Sequence, residues 1–412
     1  MVSSDIFVIV GGGLAGAKAA EALRSQGFDG RLVLLGGERH APYERPPLSK
    51  DYLQGKTPRE KVFAHPHHWY AEHDVDLRSG QLVTGLDRAA HAVYLADGSV
   101  VGYDKLLLTT GASPRELRVP GADASGVHYL RTLDDSDALR ATLATISRLV
   151  VIGAGWIGLE VTAAARLAGV EVTVVETAEL PLLRVLGPEV AQVFADLHLG
   201  RGVEFRFNAS LVEILNENGT ATGVRLTDGT TIAADAVLVA VGAAPNVQLG
   251  EAAGLHVDNG IVVDAALRTN DPNIFAAGDV ANAFHPFFDR QIRVEHWANA
   301  RQQPKAAASS MLGKDVSYDE LPYFYTDQYD LGMEYVGFVD PGDYDRVVFR
   351  GDVAGREFIA FWLSNNRVVA GMHVNVWDVV EPIKTIIRSR AAISATRLAD
   401  AAVALADLTV DA

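Results

Sequence analysis

An α/β fold is predicted, built from a duplicated parallel-sheet domain and followed by a small C-terminal α+β domain. Three observations predict it. A glycine-rich strand–turn–helix pattern occurs twice, 142 residues apart from Gly11 to Gly153. Each copy is followed by a polar hairpin signal and a short apolar run ending on glycine. From about Ser317 the composition changes, and aromatics crowd Tyr323, Phe324, Tyr325, Tyr329, Tyr335 and Phe338. A chain of 412 residues is also too long for one core and should divide into roughly two to four domains.

Taken in order, the apolar run Ile6 to Val10 reads as a strand and is followed by Gly11, Gly13 and Gly16. A helix over Ala17 to Arg24 and a strand over Arg31 to Leu35 come next, with Glu38 just beyond. The second copy runs Leu149 to Ile152, then Gly153, Gly155 and Gly158, a helix over Leu159 to Leu167, a strand over Glu171 to Val175, and Glu176. The Asp97-Gly98 and Asp228-Gly229 turns signal hairpins. After them Leu106 to Thr110 leads to Gly111, and Ala236 to Val241 leads to Gly242, so the duplication extends to whole domains.

Each glycine triplet has a chemical reading. The first glycine permits the tight turn, the second lets the backbone approach a pyrophosphate, and the third lets the helix pack close to its strand. Amides at the helix N-terminus then bind phosphate with the help of the helix dipole. Glu38 and Glu176 would each accept hydrogen bonds from a ribose diol. The pattern therefore predicts two Rossmann-like dinucleotide-binding domains. After Glu176 come Thr177, Ala178 and Glu179, with no cation to meet a 2′-phosphate, so NADH is favoured over NADPH at the second site.

Composition narrows the function. With 36 basic and 52 acidic residues the net charge is −16, which disfavours nucleic acid and anionic membrane surfaces. The absence of cysteine excludes disulfides, thiolate nucleophiles, cysteine-ligated metal and any dithiol relay, so redox electrons must reside on a bound cofactor. Met1 to Asp5 carries no basic leader region, and the longest apolar stretch, Leu149 to Leu159, is broken by three glycines. A bilayer needs roughly 20 apolar residues, so a soluble cytoplasmic protein is expected. His65, His67 and His68 have metal-like spacing, but no nearby carboxylate pair completes a site, and no metal is expected.

Seven motifs occur in one order along the chain. They are Val10-Gly-Gly-Gly-Leu-Ala-Gly16, Pro42-Tyr-Glu-Arg-Pro-Pro-Leu-Ser-Lys50, Thr110-Gly-Ala-Ser-Pro-Arg115, Val151-Ile-Gly-Ala-Gly-Trp-Ile-Gly-Leu-Glu160, Val241-Gly-Ala-Ala-Pro-Asn246, Ile274-Phe-Ala-Ala-Gly-Asp-Val280 and Pro322-Tyr-Phe-Tyr-Thr-Asp-Gln-Tyr-Asp330. With them the sequence resembles the FAD-dependent NADH:ferredoxin reductases that feed cytochromes P450 and ring-hydroxylating dioxygenases. These belong to the pyridine nucleotide-disulfide oxidoreductase superfamily but lack its redox cysteines.

The resemblance implies a glutathione reductase-like arrangement. An FAD domain is assembled from residues 1–110 and 243–316, an NADH domain spans 111–242, and a C-terminal interface domain spans 317–412. It assigns Gly11, Gly13, Ala15, Gly16, Glu38, Arg45, Lys50, Val83, Arg131, Asp279 and Trp297 to FAD. Gly153, Gly155, Ile157, Gly158, Glu160, Glu176 and Gly242 go to NADH. Lys50, Glu160 and Trp297 are its candidate catalytic residues: Lys50 as the cation that stabilises reduced flavin, Glu160, on the first turn of its helix, as its partner, and Trp297 as the indole beside the flavin. Gly37 stands where relatives often carry aspartate, which leaves the ribose contact to Glu38. His296 is read as structural, since hydride transfer needs no general base.

The implied activity is electron transfer from NADH through FAD to an iron–sulfur ferredoxin, as a monomer or homodimer. An acidic ferredoxin would need a local basic patch on a chain of charge −16, and Lys384, Arg388, Arg390 and Arg397, with Arg301 and Lys305, are the candidates. A rubredoxin reductase shares the architecture. An NADH-responsive binding protein related to apoptosis-inducing factor is the alternative from another class. Stopped-flow reduction of the holoprotein is expected to be faster with NADH than with NADPH, and equal rates would remove the Glu176 argument.

Overall fold

The computed structural model describes residues 4–409; Met1 to Ser3, part of the start read for a leader, and residues 410–412 lie outside the described residues. The chain divides into two compact units. Among the described residues, one comprises those up to Pro47 together with Thr57–Ser113 and Ala243–Glu320, and the other comprises Leu48–Lys56, Pro114–Gly242 and those from Leu321 onward.

The first unit is built on a five-stranded parallel sheet. Its order is Ile274–Ala276, Lys105–Leu108, Ile6–Val10, Arg31–Gly36 and Val75–Ser79. The central strands are buried on both faces, as continuous Val/Ile/Leu runs require in a parallel sheet. The alanine-rich helix Leu14–Ser25 packs against the helix Trp297–Met311, because alanine lets two helices approach closely. A three-stranded antiparallel sheet, Val83–Asp87, Ala92–Leu95 and Val100–Gly102, carries the first Asp-Gly hairpin.

The second unit repeats the scheme. Its parallel sheet runs Val127–His128, Ala236–Val239, Arg148–Ile152, Glu171–Val175 and Glu204–Arg206. The antiparallel sheet Leu211–Glu217, Thr220–Leu226 and Thr231–Ala233 carries the second Asp-Gly hairpin. Strand for strand, the two parallel sheets correspond, with one difference at the edge. In the first unit the edge strand Ile274–Ala276 comes last in sequence, whereas its counterpart Val127–His128 comes first.

The predicted element ends shift in a consistent way. The fingerprint helices begin at Leu14 and Trp156, three residues earlier than read, because the chain turns helical directly after Gly13 and Gly155. Glu160 therefore lies on the second turn of its helix, not the first. The strands Lys105–Leu108 and Ala236–Val239 stop two residues sooner than expected, where the chain leaves the sheet to pass under the first glycine of each triplet. The helix Leu133–Leu143 starts with a capping box between Thr132 and Asp135.

The second unit also contains the C-terminal α+β portion. A five-stranded antiparallel sheet is ordered Tyr323–Gln328, Leu331–Gly337, Arg367–Val374, Glu357–Ser364 and Arg346–Asp352. The amphipathic helix Val380–Ser389 buries Ile383, Ile386 and Ile387 on this sheet. Phe358, Phe361 and Trp362 are fully buried, and the Trp362 indole donates to the Leu186 carbonyl at 3.2 Å. Replacing Trp362 by alanine is expected to lower stability by about 3–5 kcal/mol through the cavity and the orphaned carbonyl. A urea midpoint within error of the parent protein would contradict that account.

Candidate functional site

The two glycine triplets share one division of labour. A Cβ on Gly11 would sit 2.1 Å from the Thr109 carbonyl oxygen, and one on Gly153 would sit 2.4 Å from that of Ala240. Both glycines also have positive φ, +126° and +100°. The third glycines, Gly16 and Gly158, would place a Cβ 2.1 and 2.2 Å from the carbonyl oxygens of Gly11 and Gly153. The middle glycines differ. A Cβ on Gly13 or Gly155 would meet no protein atom within 4 Å. Packing does not demand glycine there, but close approach by a ligand would.

The helix ends agree. Gly13 and Gly155 are the N-caps of their helices, neither provides a side-chain cap, and neither helix has an acid in its first turn. Ala15 and Ile157 lie in those first turns, Ala15 buried and Ile157 exposed. Two uncapped helix starts, each next to glycine with open space above it, fit the pyrophosphates of FAD and NADH.

In the first unit, Glu38 follows the Arg31–Gly36 strand and accepts from the Tyr43 hydroxyl at 2.5 Å and from Arg45 at 3.1 Å. These contacts fix the acid's orientation. Val83 starts the hairpin sheet and is half-buried, pairing with Leu95. Asp279 follows Gly278, whose amide donates to Gln303 Oε1 at 2.8 Å, and the Asp279 carbonyl accepts from Arg293 at 3.2 Å. Trp297 begins its helix, donates its indole N–H to Glu44, and lies under the Arg301 guanidinium at 4.5 Å. Ahead of it, burial pushes His296 down to about 4 while Asp279 opposes that shift, which leaves the ring neutral at pH 7.

In the second unit, Glu176 accepts from the Ala154 amide at 2.7 Å and the Ala178 amide at 2.9 Å. Its remaining lone pairs can still take a diol. Gly242 has a φ of +97° and faces Arg115. Arg131 precedes the capping box, and its amide donates to Asp135 at 3.0 Å.

Lys50 and Glu160 are brought together 110 residues apart in sequence, with Nζ 2.7 Å from Oε1 and only 12% and 5% of their side chains exposed. Ser49 donates to Glu160 Oε2, and Thr326 donates to Oε1 at 2.7 Å. The Tyr325 ring lies 5.3 Å from the ammonium. The Lys50 segment is anchored by Ser136 donating to the Leu48 carbonyl at 2.8 Å and by Tyr52 donating to Asp137 at 2.5 Å.

Sequence reasoning missed several of these side chains. Ser49 and Thr326 both lie inside quoted motifs, and Thr326 and Gln328 share a strand face, a periodicity that could have marked them. Glu44 lies in the same motif as Ser49, but no periodicity singles it out. Of the basic candidates, Lys384 is ion-paired to Glu381 at 2.7 Å, whereas Lys305 donates to the neutral amide of Gln302 at 3.1 Å and keeps its charge. Among the described residues no group of three His, Cys, Asp or Glu side chains could hold a metal ion, and His65 stacks on Trp69 at 4.0 Å.

Comparisons with known proteins give the chain's family and fold relatives. A family described as pyridine nucleotide-disulphide oxidoreductase matches residues 6–304, and one described as reductase C-terminal matches residues 323–409. The chain is 41% identical over 406 residues to the anthranilate 1,2-dioxygenase system ferredoxin–NAD(+) reductase component of Burkholderia cepacia, covering 98% of this chain and 99% of that one. It is 42% identical over 368 residues to rhodocoxin reductase of Rhodococcus erythropolis, covering 89% and 86%. A solved structure, the covalent putidaredoxin reductase–putidaredoxin complex, superposes with a TM-score of 0.95 at 38% identity and covers 99% of both chains.

The middle glycine provides a test. Gly155→Ala is expected to leave the thermal midpoint within about 2 °C while weakening NADH binding at least ~10-fold, whereas Gly153→Ala should lower the midpoint, because its Cβ has no room. Unchanged NADH affinity in Gly155→Ala, read by fluorescence titration, would refute the assignment.

Proposed function

The chain belongs to the pyridine nucleotide-disulphide oxidoreductase family, and on that premise we propose that it is an FAD-dependent reductase passing electrons from NADH to an iron–sulfur ferredoxin. One observation carries the reading. Two complete dinucleotide fingerprints occur in a chain with no cysteine, along the whole length shared with ferredoxin reductases of oxygenase systems. Dithiol reductases of the same family need a cysteine pair, so a different acceptor must take the electrons here.

When bound, FAD supplies the conversion of a two-electron hydride into single electrons that an iron–sulfur centre can accept. Gly11, Gly13, Ala15 and Gly16 would hold its pyrophosphate, with Glu38 on the ribose, Arg45 beside Glu38 and Val83 by the adenine. Asp279 and Arg131 would hold the ribityl and flavin portions. Gly153, Gly155, Ile157, Gly158 and Gly242 would hold NADH, with Glu176 on its ribose diol. Lys50 would stabilise the negative charge that reduction places on the flavin, and Glu160 keeps that ammonium in place. Trp297 would cover the flavin ring, its plane fixed by Glu44 and Arg301.

The FAD domain is assigned to 1–110 and 243–316, the NADH domain to 111–242 and the interface domain to 317–412. The acceptor is a ferredoxin that serves a cytochrome P450 or a ring-hydroxylating dioxygenase. Among the described residues no helix is long and apolar enough to cross a membrane, and we assign the protein to the cytoplasm as a monomer or homodimer.

NADH should bleach the yellow holoprotein rapidly, and cytochrome c reduction should depend on added [2Fe-2S] ferredoxin. Lys50→Met is expected to slow flavin reduction about 100-fold with NADH affinity changed less than about threefold. Slow NADH oxidation indifferent to ferredoxin and coupled to dimerisation would instead support an NADH-responsive binding protein.

A further inference from the structure

We propose that Tyr329, His198, Gln328 and Thr326 are positioning residues, linked in a one-way chain of hydrogen-bond donors that ends on Glu160 Oε1 and holds this carboxylate toward Lys50. The proposal rests on the role given to Lys50 and Glu160 above.

The chain is continuous. Tyr329 Oη lies 3.3 Å from His198 Nδ1, and His198 Nε2 lies 2.8 Å from Gln328 Oε1. Gln328 Nε2 donates to Thr326 Oγ1 at 3.2 Å, and Thr326 Oγ1 donates to Glu160 Oε1 at 2.7 Å. His198 and Gln328 are fully buried, with Thr326 at 1% and Glu160 at 5% exposure, so water does not compete for these contacts. The chain joins three parts of the second unit: the Leu183–Gly200 helix, the Tyr323–Gln328 strand and the second-fingerprint helix.

Proton bookkeeping gives the direction. An ionised carboxylate only accepts, so the single Thr326 proton must point to Glu160. The Thr326 oxygen is then left to accept from the Gln328 amide nitrogen. That turns the Gln328 carbonyl to His198, whose Nε2 must carry the proton. Nδ1 is left bare to accept from the Tyr329 hydroxyl. A protonated imidazole would present two donors and break the sequence at Tyr329. Burial works against that state, pushing His198 down to about 4 and holding the Tyr329 phenol up at about 12. At its outer end the chain is fixed by Arg201, which stacks 5.1 Å over Tyr329 and pairs with Asp330 at 2.7 Å.

Without this support Glu160 Oε1 would keep only Lys50 as a partner. With Ser49 still donating to Oε2, the carboxylate would pivot about that contact, and the ammonium on Oε1 would shift with it.

Two measurements on the FAD-loaded holoenzyme test the proposal. In ¹⁵N-histidine spectra, the ring signals absent from His198→Asn should report a neutral Nε2–H tautomer from pH 8 to pH 5; an Nδ1–H tautomer would reverse the chain and overturn the proposal. Thr326→Val, of equal size, is expected to shift the flavin midpoint potential and slow reduction by NADH about 10-fold with NADH affinity unchanged, while Thr326→Ser restores both. If Lys50→Met alters reduction and Thr326→Val alters neither potential nor rate, the positioning role is wrong and the reading of the pair stands. If both variants are silent, the reading of the pair has failed as well.

Discussion

The buried carboxylate of Glu160 is the constraint around which the second unit is organised. Taking such an ion out of water costs several kcal/mol unless donors replace the lost hydration. Here Lys50, Ser49 and Thr326 replace it, and they come from two chain segments remote from the fingerprint helix that carries Glu160. Satisfying one charge therefore ties residues 48–56 and the C-terminal sheet to the nucleotide-binding fold. The arrangement also puts an ammonium at a defined position with little exposure to solvent, the setting in which a fixed charge acts most strongly on a reaction.

A second constraint is the space around the glycine triplets. The first and third glycines are dictated by backbone atoms of the protein itself, at 2.1–2.4 Å from a hypothetical Cβ. The middle ones face nothing within 4 Å. Both units show the same division, together with matching parallel sheets and matching antiparallel hairpin sheets. Both copies thus keep the two geometric demands of the fold and the open space at the middle glycine, while the acids that follow differ in partners: Glu38 accepts from two side chains, Glu176 from the Ala154 and Ala178 amides and the Thr177 hydroxyl.

Charge and the absence of cysteine bear on the acceptor. Family membership alone would allow a dithiol acceptor within the chain, and the sequence forbids it. The net charge of −16 works against an acidic partner at long range, and Lys384 spends part of its charge on Glu381. Recognition of the ferredoxin proposed as acceptor would then depend on short-range features that act within a Debye length of roughly 8–10 Å.

By itself the sequence determined the α/β class, the duplication, the glycine triplets with their acids, and the exclusion of thiol chemistry. These are legible because they are local: strand, turn and helix are encoded within about thirty residues, and a missing residue type needs no structure to interpret. The resemblance also pointed to a Lys50–Glu160 pair, and the two side chains do meet, though periodicity put Glu160 one turn too early. Only the tertiary structure decided which groups support that pair. Thr326 meets Glu160 across 166 residues of sequence and His198 meets Gln328 across 130, and whether each donates or accepts follows from proton counting along contacts that exist only once the sheets have packed.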